Sequence, residues 1–128
     1  MEETKRVEKR RFVRLETTIP VKYRACQNDS IFSGNFSVGR SKNISAGGLK
    51  LAVGRHNPID TKLDMEMELP NNVLAYTTAK VLGGNDEQIN GITHRFDRVV
   101  FLEMDDDVQG TLTRYVFEGL RKKGMNIR

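Results

Sequence analysis

Apolar and polar residues alternate with period two over most of the chain from residue 19 to residue 104, and the period changes once, near the C-terminus. Ile19, Val21, Tyr23 and Ala25 fall on one side and Lys22 and Arg24 on the other, which predicts a half-buried strand. Pro20 stands at its start, where a missing N–H is tolerated. Residues 31–38 read as a weak strand broken by Gly34, and Leu49, Leu51 and Val53 alternate with Lys50 and Ala52 in another. Residues 62–69 carry the cleanest pattern: Leu63, Met65, Met67 and Leu69 face one way, Asp64, Glu66 and Glu68 the other. A helix would scatter those acids around its circumference. Residues 73–82, rich in Val, Tyr and Thr, suit a strand. Gly83-Gly84-Asn85-Asp86 predicts a turn, with two last strands over 88–96 and 99–104. Val108, Leu112, Tyr115, Val116 and Leu120 then recur at three and four residues, marking an amphipathic helix. Asp106 followed by Gln109 predicts a capping box at its start, and Gly124 its stop. Six or seven short strands followed by one helix predict an all-β body, a small antiparallel barrel or sandwich, with the helix packed on it.

The chain has 128 residues, enough for one domain. It divides into a basic arm over 1–17, a β body over 18–104 and a terminal helical segment over 105–128. Lys and Arg number 21 against 17 Asp and Glu, a net charge of +4. The excess sits at the ends: Lys5, Arg6, Lys9, Arg10, Arg11 and Arg14 lie in the arm, and Arg121, Lys122, Lys123 and Arg128 close the chain. Both ends favour an anionic partner. Cys26 is alone, so no intramolecular disulfide forms and a reducing compartment fits. The first residues lack the apolar core of a signal peptide, and no run approaches the roughly 18–20 apolar residues of a membrane span, so a cytoplasmic protein is expected.

Motifs for catalysis are missing. His56 and His94 stand thirty-eight residues apart without flanking ligand pairs, which argues against zinc. Asp105–Asp107 lacks EF-hand spacing. Ser45 lies in Asn43-Ile44-Ser45-Ala46-Gly47, which is not a nucleophile elbow, and there is no phosphate-binding Gly-rich loop with its lysine. The expectation is a binding protein, not an enzyme, without metal or cofactor. A nucleic-acid-binding barrel is the main rival, but aromatic residues are only 7% of the chain, with no Trp, and form no stripe on which bases would stack.

Two short patterns stand out. Arg10 and Arg14 make R-x-x-x-R, and Asn43, Ser45 and Gly48 make N-x-S-x-x-G, opening directly into an apolar strand. In this order and with one strand region between them, the pair resembles the signature of PilZ domains, bacterial receptors for cyclic di-GMP. The resemblance runs from about Lys9 to the C-terminal helix. It implies a six-stranded antiparallel PilZ-type β-barrel with a C-terminal α-helix. It also implies a doubly anionic guanine dinucleotide as ligand. By that resemblance Arg10 and Arg14 fork onto guanine or phosphate, with Arg11 as an added contact. Asn43 bonds the guanine edge and Ser45 offers its hydroxyl. Gly48 leaves room for the ligand, and Gly47 shapes the turn. Ordering of the arm by the ligand would then alter contact with a protein partner in motility, exopolysaccharide or adhesion machinery. A nucleotide-independent adaptor with vestigial motifs is the further alternative.

Overall fold

The computed structural model describes residues 13–26 and 36–124. Six strands follow in chain order: β1 (Pro20–Ala25), β2 (Ser37–Ile44), β3 (Gly48–Val53), β4 (Lys62–Leu69), β5 (Val73–Ile89) and β6 (Ile92–Glu103). Among the described residues, a 3-10 turn, Pro70–Asn72, joins β4 to β5, and helix α1 (Asp106–Lys122) follows β6. The strands close into a barrel in the order β1-β2-β3-β6-β5-β4, every neighbour antiparallel. This is the six-stranded barrel with a C-terminal helix that the pattern and the motifs together led us to expect.

The alternation decides what goes inside. Val21 and Tyr23 stand opposite Met67 and Met65 across β1–β4, and all four are buried. Leu51, Leu63, Ala75, Ala79 and Val81 are buried completely. The intervening residues, Lys22, Glu66 and Glu68 among them, form the outer face. Helix α1 contributes Leu112, Val116 and Leu120 to the same core, where they meet Leu15 and Ile19 from the segment before β1. Each buried aliphatic side chain stabilises the fold by about 1.5–3 kcal/mol through area removed from water.

Predicted boundaries differ from the structure in two regions, the β5–β6 hairpin and β2, and in the first the strands expected over 88–96 and 99–104 are a single strand, β6 (Ile92–Glu103). The chain does not turn at Gly83–Asp86: β5 runs on to Ile89, and the reversal comes at Asn90-Gly91. Asn90 (φ 54°) and Gly91 (φ 79°) both adopt the left-handed region that a two-residue hairpin of this twist requires. Gly83 and Gly84 stay in the ladder, beside a register shift between Val81 and Gly83. A Cβ on Gly84 would lie 2.7 Å from His56 Nδ1 and 2.9 Å from the Phe96 carbonyl oxygen, so that glycine answers a close approach and not a turn. The second difference concerns β2, which covers Ser37–Ile44 and so runs past the weak strand expected over 31–38 into N-x-S-x-x-G. Most of the weak strand expected over 31–38 lies outside the described residues.

The capping box is also absent. The N-cap is Asp105, without a side-chain capping bond, which moves Val108 rather than Gln109 to the third helical position. Val108 packs against the core, so burial sets the helix start. Asp106 and Asp107 in the first turn and Arg121 and Lys122 in the last still complement the macrodipole. Gly124, at φ 81°, lies just past the helix end.

Leu15 ties the N-terminal segment to this core. It is 2% exposed, and its Cδ2 sits 2.5 Å from where a Cβ on Gly119 of α1 would be. Leu15→Ala should therefore cost about 2–5 kcal/mol of stability. A lowered urea midpoint with an unchanged slope will register that loss.

Candidate functional site

The candidate site is built on the corner between β2 and β3. Ser45 N–H donates to the Gly48 carbonyl oxygen at 2.8 Å, closing the turn. Its hydroxyl oxygen accepts the N–H groups of Gly47 at 3.1 Å and Gly48 at 3.2 Å, and the hydroxyl lies 3.2 Å from the Gly48 carbonyl oxygen. Ser45 is thus the brace of the corner. Gly47 fixes it from the other side, its carbonyl accepting the Phe101 N–H at 2.9 Å. A Cβ at Gly48 would lie 2.2 Å from the Val99 carbonyl oxygen of β6. The space that the missing side chain opens is filled by the backbone of β6, so this glycine has a packing reason of its own.

The segment before β1 runs antiparallel to β2 and brings the two motifs together. Leu15 and Ile44 exchange both backbone hydrogen bonds, Leu15 N–H to Ile44 at 2.7 Å and Ile44 N–H to Leu15 at 2.9 Å. Ile44 lies between Asn43 and Ser45, and Leu15 directly follows Arg14. Arg14 is exposed. Arg10 and Arg11 lie outside the described residues. Further along, Ser41 N–H donates to the Ile19 carbonyl at 3.0 Å, its hydroxyl oxygen accepts the Ile19 N–H at 3.0 Å, and the hydroxyl donates to the Thr17 carbonyl at 2.7 Å. Ser41 is a positioning residue that no motif flagged. A serine in a strand with its side chain buried is the only signal it leaves.

Asn43 is buried and pairs with Lys50 across β2–β3, past a bulge between Ser41 and Asn43 that leaves Lys42 as the extra residue. Lys42 and Lys50 both reach Glu87 of β5; Lys50 Nζ lies 2.6 Å from Glu87 Oε2, and Lys42 engages Oε1. Both ammoniums also lie over the Phe96 ring, 5.0 and 5.1 Å from its centroid. Sequence reading missed this cluster because its members come from four strands.

A second polar cluster locks the loop after β3 to the β5–β6 hairpin. His56 Nδ1 lies 2.8 Å from an Asp97 carboxylate oxygen and Nε2 2.6 Å from one of Asp86, while Asn57 donates its backbone and side-chain N–H groups to Asp97, both at 3.0 Å. Asp97 is fully buried, so these bonds replace its water. Hydrogen bonding to Asp97 first, and to Asp86 second, raises the His56 pKa above its ordinary value. Cys26 carries no sign of a nucleophile: burial and then its 3.3 Å hydrogen bond to Asp64 push the thiol pKa up. Among the described residues, no three His, Cys, Asp or Glu side chains cluster so as to hold a metal ion, and no helix is long and apolar enough to cross a membrane.

The family model described as PilZ domain matches residues 8–118. No curated protein sequence matches the chain significantly. Among solved structures, the PilZ domain of Escherichia coli YcgR with c-di-GMP superposes with a TM-score of 0.69 at 16% identity, over 89% of this chain and 93% of that one. The Bacillus subtilis inhibitor of motility MotI/DgrA gives 0.70 at 20% identity, over 91% of this chain and 52% of that one. K. pneumonia MrkH in its c-di-GMP complex gives 0.72 at 14% identity, over 90% and 54%. The chain therefore spans about half the length of the latter two.

Gly48→Ala should lower stability by about 1–3 kcal/mol, because the methyl group meets backbone that cannot move cheaply; chemical denaturation measures this. A second expectation concerns pH. A histidine whose pKa rises on folding stabilises the protein fully below its unfolded value of 6.5, and that contribution fades as pH rises through the folded value. The stability difference between the native chain and His56→Gln should shrink between neutral and alkaline pH. A difference that grows instead contradicts a doubly donating imidazole.

Proposed function

The chain belongs to the PilZ domain family, and on that premise we propose that it is a receptor for cyclic di-GMP that uses the β2–β3 corner and the arm beside it. PilZ domains are receptor modules without catalytic chemistry, so the role is binding and not turnover. One observation carries the reading. The paired hydrogen bonds between Leu15 and Ile44 bring the end of R-x-x-x-R to N-x-S-x-x-G, though 28 residues lie between Arg14 and Asn43. A dianionic ligand with two guanine edges needs forked cations and a polar edge at one place. Arg14 and Asn43 supply those two chemistries on either side of the Leu15–Ile44 bridge.

Arg10 and Arg11, which lie outside the described residues, are the further cationic contacts of this reading. Asn43 takes the guanine edge. Ser45, Gly47 and Gly48 hold the corner in the shape the ligand meets. Solved relatives with c-di-GMP in this fold, YcgR and MrkH, support the choice of ligand.

The response passes through the arm to α1. Leu15 packs on Gly119, the Glu16 carbonyl accepts from Lys123 Nζ, and the Thr17 hydroxyl lies 3.0 Å from the Tyr115 hydroxyl. Three consecutive residues after Arg14 thus touch three positions of the helical end. Ligand that fixes the arm over the corner biases how α1 is presented to a protein partner. Motility, exopolysaccharide and adhesion machinery are the settings we consider for that partner.

Titration calorimetry with cyclic di-GMP tests the reading. Arg10→Ala or Arg14→Ala should each weaken binding at least about tenfold, the scale of one lost charge-assisted hydrogen bond of about 1.5–3 kcal/mol. Unchanged affinity in both variants removes the arm from the site.

A further inference from the structure

Two lysines flank the residue assigned to the guanine edge, and the protein supplies the anion that sits on them. Lys50 is the cross-strand partner of Asn43, and Lys42 is the bulged residue beside it. Their ammoniums share one aromatic face, 5.0 and 5.1 Å from the Phe96 centroid, so they are held close together despite like charge. Glu87 meets both, one carboxylate oxygen to each, and Asn85 Nδ2 adds a third donor to Oε2 at 3.2 Å. The carboxylate neutralises one of the two positive charges, and the corner keeps a net +1.

The arrangement is that of an anion site with its anion in place. A carboxylate offers two oxygens to two donors, as the two unbridged oxygens of a phosphodiester do. The cluster is reachable from solvent: the side chains of Lys42 and Glu87 are 35% and 26% exposed. Exposed and half-exposed ion pairs add little to stability, so exchanging one anion for another costs the fold little. The lysines hold the Glu87 carboxyl down to about 2, so it stays ionised at neutral pH and another anion has to displace it.

We propose that Glu87 is a built-in competitor for the ligand: it keeps Lys42 and Lys50 paired beside Asn43, and a phosphate of the bound dinucleotide takes its place on them. This rests on the cyclic di-GMP reading and adds Lys42 and Lys50 as phosphate contacts and Glu87 as the residue that sets affinity. The hairpin carrying Glu87 then loses its tie to β2 and β3 on binding.

The experiment compares Glu87→Gln with the native chain by calorimetry at two salt concentrations. The amide keeps size and shape and removes the charge. Affinity for cyclic di-GMP should rise on the order of three- to tenfold, the effect of deleting one negative charge within a Debye length of a dianion, and the salt dependence should steepen. Lys42→Met with Lys50→Met should weaken binding beyond the native chain. Glu68→Gln is the control. It makes the same change in net charge on β4, which faces β3 across the closed barrel, and should leave affinity unchanged. Equal gains from Glu87→Gln and Glu68→Gln, or no gain from Glu87→Gln, overturn the proposal. Pyrophosphate, followed through the lysine side-chain resonances, reads the pair without the nucleotide. It should saturate Lys42 and Lys50 at lower concentration in Glu87→Gln. If pyrophosphate behaves so while cyclic di-GMP does not bind, the ligand is misassigned and the competitor role of Glu87 stands. If pyrophosphate leaves both lysines undisturbed in both proteins, the competitor role falls whatever the nucleotide does.

Discussion

The two backbone hydrogen bonds between Leu15 and Ile44 are the constraint on which the rest of the site depends. Each contributes only about 0.5–1.5 kcal/mol net. Their effect is geometric. The buried Leu15 side chain fixes how deep the N-terminal segment sits, the bridge to Ile44 fixes its direction along β2, and Ser41 holds the next turn of chain through Thr17 and Ile19. With depth, direction and register set, the backbone of Arg14 lies opposite that of Ser45. A barrel without this seam would carry both motifs and assemble neither.

Glycine does more here than permit turns. At positions 48, 84 and 119 the absent Cβ makes room for another part of the same molecule: the Val99 carbonyl, the His56–Asp97 pair and the Leu15 side chain. Two of these contacts hold the corner and its arm, and the third pins the loop after β3 against the hairpin. The charge distribution follows a similar division. Basic groups gather at the β2–β3 corner, while Asp64, Glu66 and Glu68 stand on β4, opposite in the ring. Lys22 and Arg24 of β1 stand opposite Glu66 and Asp64 and offset part of that acidic charge.

Much of this was legible in the amino-acid order. The period-two run of Leu63, Met65, Met67 and Leu69 became β4 with those four side chains buried, and the three- and four-residue spacing of Leu112, Val116 and Leu120 became the inner face of α1. What could not be read depends on partners far away in sequence. Gly83-Gly84 looks like a turn until His56 and Asp97 are placed against it, and Asn90-Gly91 then carries the positive φ angles. Gly48 looks like clearance for a ligand until β6 is laid across it. Ser41, Lys42, Lys50 and Glu87 belong to no short pattern, because the barrel joins them across three ladders. Local rules recover elements, and tertiary contacts assign reasons.

The closed ring of strands has a further implication. With β1 bonded to both β2 and β4, the ring itself has no open edge among the described strands, and only the β5–β6 hairpin beyond it presents strand edges that no neighbouring strand covers. Among the described residues, a partner protein meets side chains on the curved outer wall and on the helix, or the edges of the projecting hairpin. Selectivity among such readers can then evolve by surface substitution, leaving the β2–β3 ladder and its corner untouched.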